Sequence, residues 1–289
     1  MIVCPHCNSQ LKADYSCSSC GFAPPVQDGI PLFAPDLSEE NEGFPADAHA
    51  RLFELESGHF WFRHRNRVID FLLRGYFPEV GSFCEVGCGT GQALAAISAS
   101  FPAMDLTAVE IYARGLSFAR TRVPRATFLQ ADLNAFPFVD EFDVVGVFDV
   151  LEHLDDDLGA LRNIHHAVRP GGGIIVTVPQ HQWLWSVTDE AACHRRRYSR
   201  KALLEVVSRA GFHPMRHLSF MTLLQPAMMA SRLAPRFGGD EPDPYRELRL
   251  SAFLNMFFLN VCKLELLLLK AGIPFPVGGS LALLATKPS

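Results

Sequence analysis

The sequence predicts an α/β protein built on a largely parallel sheet, and two observations carry that reading. From residue 82 onward, short apolar runs rich in β-branched residues alternate with longer helical stretches, the pattern that winds a parallel sheet. The first run leads straight into "GCGTG" (87–91), a glycine turn poised between a strand and a helix. In order, the expected strands are "SFCEV" (82–86), "DLTAVEI" (105–111), "ATFLQA" (126–131), "FDVVGVFDV" (142–150) and "GGIIVTVP" (172–179). Helices begin near Gly91, Ala113 and Asp155, and "RPGGG" (169–173) marks a turn before the fifth strand. A helix "KALLEVVSRAGF" (201–212), ended by Gly211, precedes a sixth strand, "HPMRHLSFM", and "GSLALLATKP" forms a last one. Upstream, residues 49–77 have apolar positions at three- and four-residue spacing and read as helical. No internal repeat is found.

The length suits one large domain or a core domain with an accessory module, and 48% hydrophobic residues supply a sizeable core. The start "MIVCPHCNSQ" has neither a basic stretch nor a long apolar run, so no signal peptide is expected. Eight cysteines in that setting point to a reducing cytoplasm and to metal binding rather than disulfides. "CPHC" (Cys4, Cys7) and "CSSC" (Cys17, Cys20) are two turns that together offer four thiolates, the tetrahedral donor set of a structural Zn²⁺. Gly21 suits the permissive backbone of such a knuckle. The expected organisation is a zinc ribbon at 1–33, a linker at 34–50, and a catalytic domain at 51–289. A helical insertion is expected at about 222–275.

The glycine loop decides the ligand class through its neighbours. A dinucleotide fingerprint is G-x-G-x-x-G, but Gln92 stands where its third glycine would fall, and no Gly-Lys-Ser/Thr phosphate loop occurs. Glu85 precedes the first glycine by two residues, Glu110 ends the second strand, and Asp132 follows the third. A carboxylate beside the loop repels a pyrophosphate and suits an ammonium or sulfonium. Glu110 is placed to accept hydrogen bonds from ribose hydroxyls, and Asp132 or the Leu133 backbone to read an adenine edge.

These motifs, "EVGCGTG", "AVEI", "LQADL", "FDVVGVFDVLEHLDD" and "LRNIHHAVRPGGGIIVTVP", resemble the successive motifs of class I S-adenosylmethionine-dependent methyltransferases over about residues 80–220. The resemblance implies a Rossmann-like sheet of seven strands with the last antiparallel. It implies S-adenosylmethionine as cofactor, its methionine part held by Glu85 with Gly87, Gly89 and Gly91. Glu110 would hold the ribose, and Asp132 and Leu133 would flank adenine, with Ile111 and Phe148 completing the cofactor pocket. The Asn/Asp-Pro-Pro-aromatic motif of adenine- and glutamine-modifying members is replaced by "FDVLEHL". The pattern is nearer to members acting on quinone precursors, lipids and sugars, so O-methylation of a small-molecule, sugar or lipid-linked acceptor is expected.

For the acceptor, His153 is the expected general base, with His194 and Tyr198 as alternative polar groups. "GHFWFRHRNR" (58–67) and "DEAACHRRRYSRKAL" (189–203) are expected to line the substrate pocket, with Trp61 over it and Arg63 and Arg196 as an anion clamp. Similar sequences recur in bacterial methyltransferases associated with glycolipid, polysaccharide or secondary-metabolite substrates. The apolar stretch 250–272, interrupted by Asn255, Asn260, Lys263 and Glu265, is expected to pack within the insertion or across a homodimer. The competing expectation is an interfacial helix, which would make the enzyme peripheral to a membrane. An RNA or protein substrate read by the ribbon is the alternative function. Residues 1–50 hold seven acidic side chains against Lys12 alone, which disfavours nucleic acid as a partner.

Overall fold

The central strands are unbroken apolar runs because both faces of the sheet are covered. The computed structural model describes residues 1–39, 48–233 and 248–289. Its N-terminal part contains a two-residue antiparallel ladder, β1 (Val26–Gln27) with β2 (Ile30–Pro31). Two helices follow, α1 (Ala48–Leu55) and α2 (Phe60–Tyr76). Strand and helix then alternate through β3 (Ser82–Val86), α3 (Gln92–Ser100), β4 (Asp105–Glu110), α4 (Ala113–Arg122) and β5 (Thr127–Gln130). Next come β6 (Phe142–Phe148), α5 (Asp157–Ala167), β7 (Val168–Pro179), α6 (Val187–Ala191), α7 (Arg200–Arg209) and β8 (His213–Phe220). The chain closes with α8 (Gln225–Leu233), α9 (Ala252–Lys270) and β9 (Ser280–Thr286).

Seven strands form one sheet in the order β5-β4-β3-β6-β7-β9-β8. The last strand, β9, runs antiparallel to both neighbours, β7 and β8. This is the Rossmann-like sheet that the resemblance implies. Alternate residues feed two cores: Phe83, Val144 and Ile175 meet α2, α3, α4 and α9, while Cys84, Val145 and Ile174 meet α5 and α7. The predicted turn at 169–173 lies within β7 as an irregularity. The register jumps from Phe142↔Val168 to Val144↔Gly173, and Gly171 adopts φ +79.

One expectation is corrected. The helix read over 49–77 is two helices, because Glu56 turns toward Arg122 and Thr90 and His59 takes an extended conformation. The Phe60 N–H that opens α2 donates to Asn255 Oδ1 at 2.8 Å, and Asn255 Nδ2 donates to Gly58 O at 2.9 Å. The four-cysteine unit is also stitched to the sheet. Leu32 bridges Gln130 in parallel, Phe33 N–H donates to Gln130 O at 2.8 Å, and Val3 N–H donates to Pro137 O at 2.9 Å. The Gln130 amide bonds both the N–H and the carbonyl of Ala34, at 3.0 and 2.8 Å. The unit thus covers the backbone edge that β5 would otherwise expose. Of the expected linker, residues 40–47 lie outside the described residues, as do 234–247 of the insertion.

Helix α9 is long and apolar enough to cross a membrane by length and composition alone. Leu259, Cys262, Leu266 and Leu269 pack it into the core, whereas Phe253, Met256, Phe257, Leu264 and Leu267 form an exposed apolar stripe. Asn260 and Lys263 bond each other on the exposed side. Glu265 is 1% exposed and accepts from His64 Nε2 at 2.8 Å and from the N–H groups of Met221, Thr222 and Leu223 at 2.7–2.8 Å. Burial works against its charge, but these bonds outweigh it and hold the carboxyl below the usual value. Replacing Glu265 by Ala orphans His64 and three backbone donors and should cost about 3 kcal/mol. Leu264→Ala, on the exposed stripe, should cost under about 1 kcal/mol. Urea unfolding of both variants checks this contrast.

Candidate active site

The parallel strands deliver their carboxyl ends to one side of the sheet, and the order reverses between β3 and β6, where such folds open a crevice. A cleft of about 1760 Å³ occupies that place. A single small ligand takes roughly 300–1,000 Å³, so the volume accommodates a cofactor and a second molecule together.

At one end lies the glycine turn. Gly87 lines the cleft with φ +65, and a Cβ there would meet Val150 Cγ2 at 2.4 Å, so only glycine fits this point of the turn. Gly89 also lines it, at φ +51. Gly91 does not: its φ is +77, and a Cβ would sit 2.8 Å from the Ala119 Cα, so it serves the close packing of α3 on α4. Glu85, next to last in β3, is 3% exposed, and its Oε2 is buried without a hydrogen-bond partner. Burial pushes its carboxyl up to about 8, only partly offset by Arg65. Glu110 lines the same end. Its oxygens are oriented by N–H groups of Gly89 and Ile111, both at 2.8 Å, and Tyr112 at 3.2 Å. Asp132 caps the short 3₁₀ turn Leu133–Ala135 through Asn134 N–H at 3.0 Å. Ile111, Leu133 and Phe148 also line the cleft, and the Phe148 ring stacks on Phe83.

At the other end, Glu152 and His153 come from the 3₁₀ turn Leu151–His153, and His194 from the loop after α6. The Arg195 N–H donates to Glu152 O at 2.7 Å and draws the two segments together. The His153 and His194 rings lie 4.8 Å apart. Burial, and then His194, lower His153 to about 4, so its imidazole is neutral at neutral pH. His194 Nδ1 lies 2.9 Å from Asp189 Oδ1, and Arg197 grips the same carboxylate at 2.7 and 3.0 Å. Burial opposes the Asp189 charge, but the bonds from His194, Arg197 and Ser186 outweigh it and hold the carboxyl far below its usual range. Left-handed backbone at Asp149 (φ 57), Cys193 (φ 57) and Met221 (φ 61) clusters around the cleft, as strained residues do at functional sites.

Besides Gly91, three expected residues are not brought to the cleft. Arg63 is exposed on the outer side of α2. Arg196 is spent on the Leu154 and Asp155 carbonyls and on Asp157. Tyr198 is buried with its hydroxyl donating to Asp157 Oδ2 at 2.6 Å. The helical period explains the first correction: Arg65, two positions on, faces inward instead. It pairs with Asp149 at 2.7 Å, with its guanidinium 5.1 Å from the centre of the Trp61 ring, which lines the cleft as expected. Sequence reading passed over Glu152 and Asp189; the only signal was their place in the "LEHL" and "TDEAACH" runs.

The four cysteines gather in the N-terminal unit, with their sulfurs within 4.8 Å of one another. Cys4 and Cys20 sulfurs are 3.5 Å apart, as are those of Cys7 and Cys17, and the His6 N–H points at Cys4 Sγ. Four thiols in two such pairs fit Zn²⁺.

An open parallel sheet that presents a glycine turn and acidic strand ends to a two-ligand cleft is a nucleoside-binding α/β enzyme architecture. Residues 56–217 match the family model described as a methyltransferase domain, more than half of the chain, and the protein belongs to that family. Among curated relatives, it is 32% identical over 129 residues to the dTDP-3-amino-3,4,6-trideoxy-alpha-D-glucopyranose N,N-dimethyltransferase of Streptomyces venezuelae, covering 43% of this chain and 53% of that protein. It is 27% identical over 112 residues to the trans-aconitate 2-methyltransferase of an Azoarcus species, covering 39% and 44%. The chain therefore spans about half the length of the curated relatives it matches. An O-methyltransferase family protein from Burkholderia thailandensis superposes with TM-score 0.56 at 14% identity, over 84% of this chain and 60% of that one. The Haemonchus contortus phosphoethanolamine N-methyltransferase 2 bound to S-adenosyl-L-methionine gives 0.50 at 18% identity, over 78% and 52%. Likeness at this identity establishes the fold.

The residues fit S-adenosylmethionine. Glu85 Oε2 lacks a partner that a ligand ammonium would provide, and the Gly87 and Gly89 positions of the turn line the cleft with it. At pH 7, below its raised value of about 8, Glu85 is mostly protonated in the free protein and must ionise to pair with a cation. Cofactor binding should then release close to one proton at pH 7, with affinity rising about tenfold per pH unit until about pH 8. Calorimetry in buffers of different ionisation enthalpy measures the release, and Glu85→Gln should abolish both the release and the slope.

Proposed function

We propose that the protein is an enzyme that transfers the methyl group of S-adenosylmethionine to a hydroxyl of a small-molecule, sugar or lipid-linked acceptor. The observation that carries this reading is the buried Glu85 Oε2, left without a partner at the glycine turn, a site that favours a cationic nucleoside over an anionic one. When bound, the cofactor supplies a methyl group on a sulfonium, which needs an aligned nucleophile more than any covalent help. Glu85 and the Gly87–Gly89 turn bind its amino-acid end, Glu110 its ribose, and Asp132 with Ile111, Leu133 and Phe148 surround its base.

The residues lining the remaining volume include the apolar Trp61, Phe62, Met228, Leu250, Leu254 and Phe258 and the polar cluster Glu152–His153–His194. An acceptor with a hydrocarbon body and an oxygen-bearing head matches that combination. The exposed stripe of α9 beside the apolar rim supports a lipid-linked acceptor, since it offers Phe253, Met256 and Phe257 to a membrane surface. Asp189 on Nδ1 leaves His194 Nε2 facing the polar end, where it helps to position the oxygen-bearing head of the acceptor. The four-cysteine unit is a structural zinc site. None of residues 1–39 lines the cleft, which argues against the unit as a reader of RNA or protein substrates.

Incubation with methyl-labelled S-adenosylmethionine and native extract should place label in the organic or small-molecule fraction; label confined to RNA or protein would overturn the acceptor class. His194→Ala should lower kcat about 100-fold or more while leaving cofactor affinity within threefold. Equal losses in both would reduce His194 to a cofactor contact. Cys7→Ser should halve the zinc content or remove it, and should expose the 1–39 segment to protease while the sheet domain stays folded.

A further inference from the structure

The polar end of the cleft holds a group that methyl transfer does not account for. Glu152 has no exposed surface, and neither of its carboxylate oxygens has a hydrogen-bond partner. Its cationic neighbours are already engaged: Arg65 with Asp149 and Arg197 with Asp189. A buried, unpaired carboxylate is costly, so it must hold a proton or meet a cation.

Three candidate donor atoms converge there. One each from Glu152, His153 and His194 all lie within 4.8 Å of one another, and His194 Nε2 stands 4.0 Å from Glu152 Oε1. Ligands on a shared ion sit roughly 3–4 Å apart, given bonds of about 2.1 Å, so a small closure of the His194 loop completes the set. The Asp189 carboxylate on His194 Nδ1 fixes the ring with Nε2 turned to Glu152. This carboxylate–histidine arrangement is how proteins orient an imidazole ligand.

We propose that Glu152, His153 and His194 form a divalent-cation site at the acceptor end of the cleft. One carboxylate and two imidazoles suit divalent first-row ions such as Mn²⁺ or Fe²⁺, and three protein ligands leave coordination positions open to oxygen atoms of a bound acceptor. The acceptor class then narrows to molecules with an oxygen pair able to chelate, such as a vicinal diol or a hydroxy acid. That narrowing rests on the methyltransferase reading, whereas the ion site does not.

Mn²⁺ alone is the probe, because its preference for oxygen and nitrogen ligands sets it apart from the thiolate site. After brief chelation and removal of the chelator, Mn²⁺ is titrated and the free ion is read by electron paramagnetic resonance, without cofactor or acceptor. The wild-type protein and Cys7→Ser should each bind about one Mn²⁺, and Glu152→Gln should bind at least tenfold more weakly. Mn²⁺ should raise the unfolding temperature of the wild type but not of Glu152→Gln. No binding by the wild type, or equal binding by Glu152→Gln, overturns the site. Since no turnover is measured, either result leaves the choice of methylated acceptor to be decided by the labelling experiment.

Discussion

Carboxyl groups buried at and just beyond the ends of the strands are the constraint on which the site depends. Parallel strands wrapped on both faces leave their last side chains in a low-dielectric crevice, where a carboxylate is tolerated only with a partner. Glu110 finds three backbone donors, and Asp149 finds Arg65. Glu85 Oε2 and both oxygens of Glu152 find none, and both residues line one cleft. The fold thus carries two unmet demands for positive charge, one beside the glycine turn and one beside two imidazoles. A ligand meets each demand by binding, so the cost of burying the groups becomes selectivity for cations.

The rest of the molecule holds that cleft in shape. Helix α2 supplies Trp61 and Arg65 to it and is capped at its start by Asn255 of α9. Further along, Glu265 of α9 ties His64 of α2 to the turn that follows β8. Arg122 reaches from α4 to Glu56, the Phe53 carbonyl and Thr90, which pins α1 over the glycine loop. At the far edge, the four-cysteine unit closes the last parallel strand, so its contribution to the domain is an edge rather than a cleft wall.

Much of this was legible in the chain. The strand ladder came out within a few residues because strands buried on two faces must be continuous apolar runs, as in β3 and β6. Glu85, Glu110 and Asp132 were legible because strand ends in such a sheet share one side by topology. The substrate side was less so. Arg63 and Arg65 are equivalent as letters, and only the helical phase of α2, fixed by His64 and Asn66 being buried, separates the outward arginine from the inward one. Tyr198 and Arg196 looked free in sequence because Asp157, which engages both, lies some forty residues away.

What the sequence determined by itself was the sheet, the glycine turn and the acidic ends, since each follows from local spacing and hydrophobic period. Only the tertiary structure decided which polar groups are left without partners. Whether Glu152 is solvated, paired or orphaned depends on where Arg65, Arg197 and His194 arrive from three other segments. Electrostatic satisfaction is a property of the assembled neighbourhood, set by distances of a few ångströms between groups remote along the chain.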